Sequence, residues 1–159
     1  GVEVGETIAD FGSCVPNGEG TDFHYYAFLG QVTLLNFGAG WCPPCRNEAA
    51  EIQGLFEEYK DQGFMVLMGL YAGWDGGSDA DETFLGEWAA EFGSTHPLLA
   101  DTGGALSAYY TPSDEGYIPL NVLVDRDGVV KYNSKGSINA ATLSTIIEEA
   151  LAQPAKLNY

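Results

Sequence analysis

Two cysteines stand two residues apart in the stretch "VTLLNFGAGWCPPCRNEAAEI", Cys42 and Cys45, with Pro43 and Pro44 between them and Trp41 just before. A pair at this spacing can exchange a disulfide, staple the chain or supply half of a metal site. Zinc needs about four ligands, and beyond this pair the chain offers only Cys14, His24 and His96, none at zinc-finger spacing. A purely structural bond across two residues closes a very short loop, where the gain in chain entropy is smallest. Thiol-disulfide exchange is the reading that uses the spacing best, with one thiolate attacking and the second resolving the mixed disulfide.

The flanking residues place this pair. "QVTLLNF" is an apolar run of strand length, rich in the residues of a strand buried on both faces. Cys45, Ala49, Ile52, Phe56 and Tyr59 then recur at steps of four, three, four and three, which predicts an amphipathic helix ending near Gly63. "FMVLMGLYA" reads as a second buried strand. A right-handed strand-helix-strand crossover sets the start of its helix at the carboxyl edge of the sheet. There the unpaired N–H groups and the helix dipole favour a thiolate at Cys42. Pro43 and Pro44 fix the first turn without losing a helical hydrogen bond. Cys45 falls one turn inside and is expected to be the more shielded thiol.

Residues 1–30 read as a hairpin extension, with "FGSCV" and "TDFHYYAF" flanking Asn17-Gly18. A polar loop, "GWDGGSDADE", leads to a helix in "TFLGEWAAEF", a short strand in "HPLLAD" and a short helix in "TGGALSAYY", capped by Asp101 or Thr102. "PLNVLVDRDGVVKYN" predicts a hairpin turning at Asp127-Gly128, and "NAATLSTIIEEALA" a final helix stopped by Pro154. The order predicts an α/β fold, a mixed central sheet with helices on both faces. We expect one domain over 1–159, its core at 31–153 carrying an insertion at about 71–100. A formal net charge of −17, from 23 acidic and 6 basic residues, repels phosphate backbones and anionic lipid, so nucleic acid is not an expected partner. No run of about eighteen apolar residues occurs. A signal or membrane anchor, if the gene encodes one, is expected to have been removed.

"LLNFGAGWCPPCRNE" resembles the active-site segment of the TlpA/ResA-type thioredoxin-like proteins, "YIPLNVLVDRDGVV" their downstream cis-proline signature, and, more weakly, "LLADTGGALSAYYTP" the stretch before it. The resemblance runs from about Val4 to Leu151 and implies a thioredoxin fold with the family's extra strand and helix. It implies Cys42 as exposed nucleophile, Cys45 as resolving thiol and Pro119 as cis-proline. It also implies Trp41, Pro43 and Pro44 as flanking surface, and Ile118 as backbone partner of an extended substrate segment. Glu48, one turn beyond Cys45, is read either as a carboxylate that tunes the thiols or as an exposed first-turn glutamate favoured by the helix dipole. Asn36 stands where ordinary thioredoxins carry a proton-handling Asp, and its amide is no general base. The expected function is an extracytoplasmic, periplasmic thiol-disulfide oxidoreductase, acting as a reductase because two prolines supply no imidazolium to the thiolate. Its expected partners are a protein disulfide substrate and an upstream thiol reductant, with no cofactor or metal, as a monomer. Two rival classes are a peroxiredoxin-like peroxidase, although Ala39 stands where its Thr would precede Cys42, and a copper-delivery module using distant His96. Cys14 reads as a bystander, and "DGGSDADE" as a solvated loop without calcium spacing.

Overall fold

A computed structural model describes residues 3–8, 12–14, 22–101 and 117–156. Short strands β1 (Gly12–Cys14) and β2 (Asp22–His24) pair antiparallel, Gly12 opposite His24, so the hairpin extension is present at the level of the backbone. A 3-10 turn at Tyr25–Phe28 leads to β3 (Val32–Gly38). The chain continues through α1 (Pro43–Tyr59), β4 (Phe64–Leu70), α2 (Glu82–Phe92), β5 (Leu98–Ala100), β6 (Leu120–Val124), β7 (Val130–Lys135) and α3 (Ala140–Ala152).

The five longer-range strands form one sheet in the order β5-β4-β3-β6-β7. β3, β4 and β5 run parallel, whereas β6 and β7 are antiparallel to their neighbours. This arrangement puts β3 at the centre, and all seven of its residues are buried, as the unbroken apolar run required. Its register against β6 sets Asn36 opposite Asn121 and Phe37 opposite Leu120.

Alternation along the strands divides the core. Val32 and Leu34 of β3, with Val66 and Met68 of β4, face a cluster completed by Ile52 and Phe56 of α1, Phe84 and Trp88 of α2, and Leu143 and Ile147 of α3. Leu35, Phe37, Leu67 and Val122 point the other way, where Ile8 and Tyr25 of the amino-terminal segment close a second cluster. The described α-helices all feed the first cluster. The helix expected at 102–110, with its candidate cap Thr102, lies outside the described residues, as do the Asn17-Gly18 turn and the Cys14 side chain.

Local chemistry explains the boundaries. α1 passes into a 3-10 turn and ends on Gly63 at φ 90°, a left-handed conformation that glycine adopts without a Cβ penalty. Asp81 and Asn139 cap α2 and α3, each accepting a backbone N–H three residues on. The β6–β7 turn passes through Gly128 at φ 80°, with Asp125 accepting from the N–H groups of Asp127 and Val129. Arg126 ties three segments together, donating to the carbonyls of Gly30, Gln62 and Leu151.

Candidate active site

The sequence from β3 to α1 folds into a tight connection. Gly40 lies against the next crossover, donating its N–H to the Ala72 carbonyl at 2.9 Å, and an added Cβ there would stand 2.7 Å from Gly73. Only glycine permits that approach. Cys42 is the N-cap of α1, in extended conformation, and its Sγ accepts the Cys45 N–H at 3.3 Å. The two prolines occupy the first turn, where their missing N–H groups have no helical partner. Cys42 and Cys45 are joined as a disulfide, their Cα atoms 5.3 Å apart.

One expectation is corrected here. Cys42 is no more exposed than Cys45, each residue being 3% accessible. The capping geometry turns the Cys42 sulfur inward onto the helix terminus, so neighbouring side chains form the outer surface. Pro43 and Pro44 are exposed. Trp41 is 42% exposed, with its ring edge-on to Tyr71 and Gly76 against its face.

The opposite wall comes from the approach to β6. The Ile118-Pro119 peptide is cis, Pro119 is buried and Ile118 half-buried. Since Leu120 pairs with Phe37, Pro119 enters the sheet beside the carboxyl end of β3. That end carries Gly38, where a Cβ would meet Cys45 Sγ at 3.0 Å. The Pro119 carbonyl accepts the Gly136 N–H at 2.7 Å.

Beneath the disulfide lies a buried polar cluster. Glu48 is 3% exposed, which removes the reading of an exposed first-turn glutamate. Its Oε1 accepts from Asn36 Nδ2 at 2.7 Å and Asn121 Nδ2 at 3.3 Å, and its Oε2 from the Ile138 N–H at 3.0 Å. Asn36 also donates to Asn121 Oδ1 at 2.8 Å, and Asn121 to the Gly136 carbonyl at 3.4 Å. Burial pushes the Glu48 carboxyl above the usual range, while the hydrogen bonds pull it down and nearby Glu51 adds a small rise. The carboxyl group is desolvated, hydrogen-bonded and one helical turn from Cys45.

Asn121 is the residue that sequence reasoning missed. Its signal was a lone amide inside the apolar run "PLNVLV", and its meaning emerges only when the register sets it opposite Asn36. His96 is buried against Phe56, about three helical turns along α1 from Cys45, and its Nδ1 donates to the Pro97 carbonyl. Burial lowers its pKa. Asp75 organises the "DGGSDADE" loop, accepting from the N–H groups of Gly77 and Ser78. Among the described residues no three His, Cys, Asp or Glu side chains gather as a metal site requires, and no helix is long and apolar enough to cross a membrane.

The AhpC/TSA family matches residues 4–133. Thiol-disulfide oxidoreductase ResA of Bacillus thuringiensis subsp. konkukian is 30% identical over 139 residues, covering 85% of this chain and 71% of that protein. The thioredoxin-like protein YneN of Bacillus subtilis is 28% identical, covering 82% and 71%. Among solved structures, one assigned as thiol:disulfide interchange protein DsbE from Chlorobium tepidum superposes with a TM-score of 0.77 at 25% identity, over 95% of this chain and 99% of that one. A secreted thiol-disulfide isomerase from Corynebacterium glutamicum shares the fold at TM-score 0.79 and 20% identity, over 91% and 85%. With its dithiol at the amino terminus of α1 on a thioredoxin-fold sheet, the chain belongs to the AhpC/TSA family as a thiol-disulfide oxidoreductase of the TlpA/ResA type.

Proposed function

We propose that this oxidoreductase works as a disulfide reductase outside the cytoplasm, acting on protein substrates and recharged by an upstream thiol. The observation that carries the direction is the buried Glu48 carboxylate one turn from Cys45, with prolines rather than a cationic side chain between the cysteines. A nearby anion and the lack of an imidazolium both disfavour thiolates, and so favour passing electrons on. The extracytoplasmic setting is supported by the secreted isomerase that shares this fold.

In the forward step the reduced Cys42 thiolate attacks a substrate sulfur, forming a mixed disulfide and expelling the other substrate sulfur as a thiolate. Cys45, losing its proton, attacks Cys42 Sγ, releases the second substrate thiolate and closes the ring. Two electrons pass to the substrate, and its two sulfurs take up two protons. The upstream thiol reductant then reduces the ring by the same exchange in reverse. Trp41, Pro43 and Pro44 present the approaching surface, while the Ile118 backbone would align an extended segment beside the sulfurs.

Equilibration with glutathione redox buffers tests the direction. The expected potential lies nearer to thioredoxin's, about −270 mV, than to the about −120 mV of a strong oxidant. A disulfide readily reduced by glutathione, with Cys42 acidified by several units, overturns the reductase assignment. A Cys45→Ser variant should retain protein substrates as mixed disulfides on Cys42. An empty trap in a folded variant argues against protein disulfides as substrates.

A further inference from the structure

We propose that Asn121, acting with Asn36, is a positioning residue of the thiol chemistry: it holds Glu48 as an oriented carboxylate and joins it to the Pro119 wall. Every hydrogen bond made to Glu48 is a donation. Asn36 Nδ2 and Asn121 Nδ2 reach Oε1, while Asn121 Nδ2 and the Ile138 N–H reach Oε2. These donations favour the ionised form and so work against the burial that raises the carboxyl's pKa.

The amide orientations follow from the same accounting. Both N–H bonds of Asn36 are used, on Glu48 and on Asn121 Oδ1, while Asn121 sends its own to Glu48 and the Gly136 carbonyl. The Gly136 peptide completes the link by donating to the Pro119 carbonyl. Glu48 therefore reaches the second wall of the site through Asn121 and one peptide unit, and α1, β3, β6 and the segment leading into α3 converge on one carboxylate.

The charged surroundings are sparse. No ion pair of the described residues reaches Glu48, and the ionised group that acts on it through space is Glu51, on its own helix. From β3, β6 and the 136–138 segment only neutral amides and peptide groups face it. The amides stand in for a missing cation.

The test is a titration of Glu48 by carboxyl NMR in the oxidised full chain, where no thiol is ionising and the direction of electron flow is irrelevant. Asn121→Leu removes a donor to the carboxylate and Asn36's acceptor. The Glu48 midpoint is expected to rise by about one unit, a tenfold change in proton affinity. After reduction, the pH profile of Cys42 alkylation should shift with it, whereas loss of fold stability alone would move neither midpoint. An unmoved midpoint in folded Asn121→Leu overturns the proposal. Should that variant fail to fold, Asn121→Asp keeps the shape and replaces the donor with a second carboxyl. The two acids should then share a proton at a midpoint above that of Glu48, and independent titration would equally overturn it.

Discussion

Substituting Gly40 by alanine asks whether the loop carrying Trp41 and Cys42 is set by close backbone packing. The new Cβ would lie 2.7 Å from the Gly73 carbonyl carbon, 2.8 Å from its oxygen and 2.7 Å from Phe84 Cε2. Ordinary contact begins near 3.4 Å, so two backbone atoms and a buried ring must yield by about 0.6–0.7 Å. Overpacking of this kind costs about 1–3 kcal/mol. Replacing glycine also narrows the unfolded ensemble, which returns about 0.4–1 kcal/mol. The net loss of about 1–2 kcal/mol corresponds to a fall of roughly 3–6 °C in melting temperature for a chain of this size. Gly54 supplies the control. It lies exposed in mid-α1 with nothing near its missing Cβ, so Gly54→Ala should stabilise by about 1 kcal/mol through helix propensity. Calorimetry of both variants in the oxidised state measures the contrast. If Gly40→Ala melts at or above the wild type while Gly54→Ala behaves as expected, close packing against Gly73 does not set the loop.

Glu48→Gln should lower the thiol pKa of Cys42 by about one unit and raise the reduction potential, read from the pH profile of alkylation. Since burial raises the Glu48 pKa in the folded state, its favourable contribution to stability is fully present below the unfolded value and lost as pH rises through the folded one. Glu48→Gln should accordingly flatten denaturation midpoints across that window. Trp41→Ala, which truncates the exposed ring beside the disulfide, should slow reaction with a protein disulfide about tenfold while leaving reduction by a small dithiol unchanged. Arg126→Met leaves the carbonyls of Gly30, Gln62 and Leu151 without its guanidinium. It should cost about 2–4 kcal/mol in chemical denaturation, with dithiol reactivity of the native protein unaffected.

Local periodicity carried much of the architecture. The four-three steps from Cys45 to Tyr59 marked the buried face of α1, and the apolar runs marked β3, β4 and the β6–β7 hairpin. The same stripe held a clue to Glu48. Three residues from Cys45 and next to Ala49, it lies on the face that α1 buries, although a charged residue there is ordinarily read as solvated. Asn36 was visible as a polar interruption of a core strand. Its partnership with Asn121 was not, since 85 residues separate them and only the pairing of β3 with β6 brings them together. The inward turn of Cys42 was equally hidden, because it depends on which way a capping sulfur points rather than on residue type.

The central place of β3 also bears on how the site opens. A strand paired along both edges exchanges its amide hydrogens only when a neighbour is pulled away, so its protection should approach that of global unfolding. The disulfide is mounted at the end of this strand, while β5 and β7 occupy the outer positions of the sheet order. Fraying should therefore begin at those outer strands, leaving the platform beneath the sulfurs intact. Chemistry at Cys42 then proceeds on a base that local breathing reaches last.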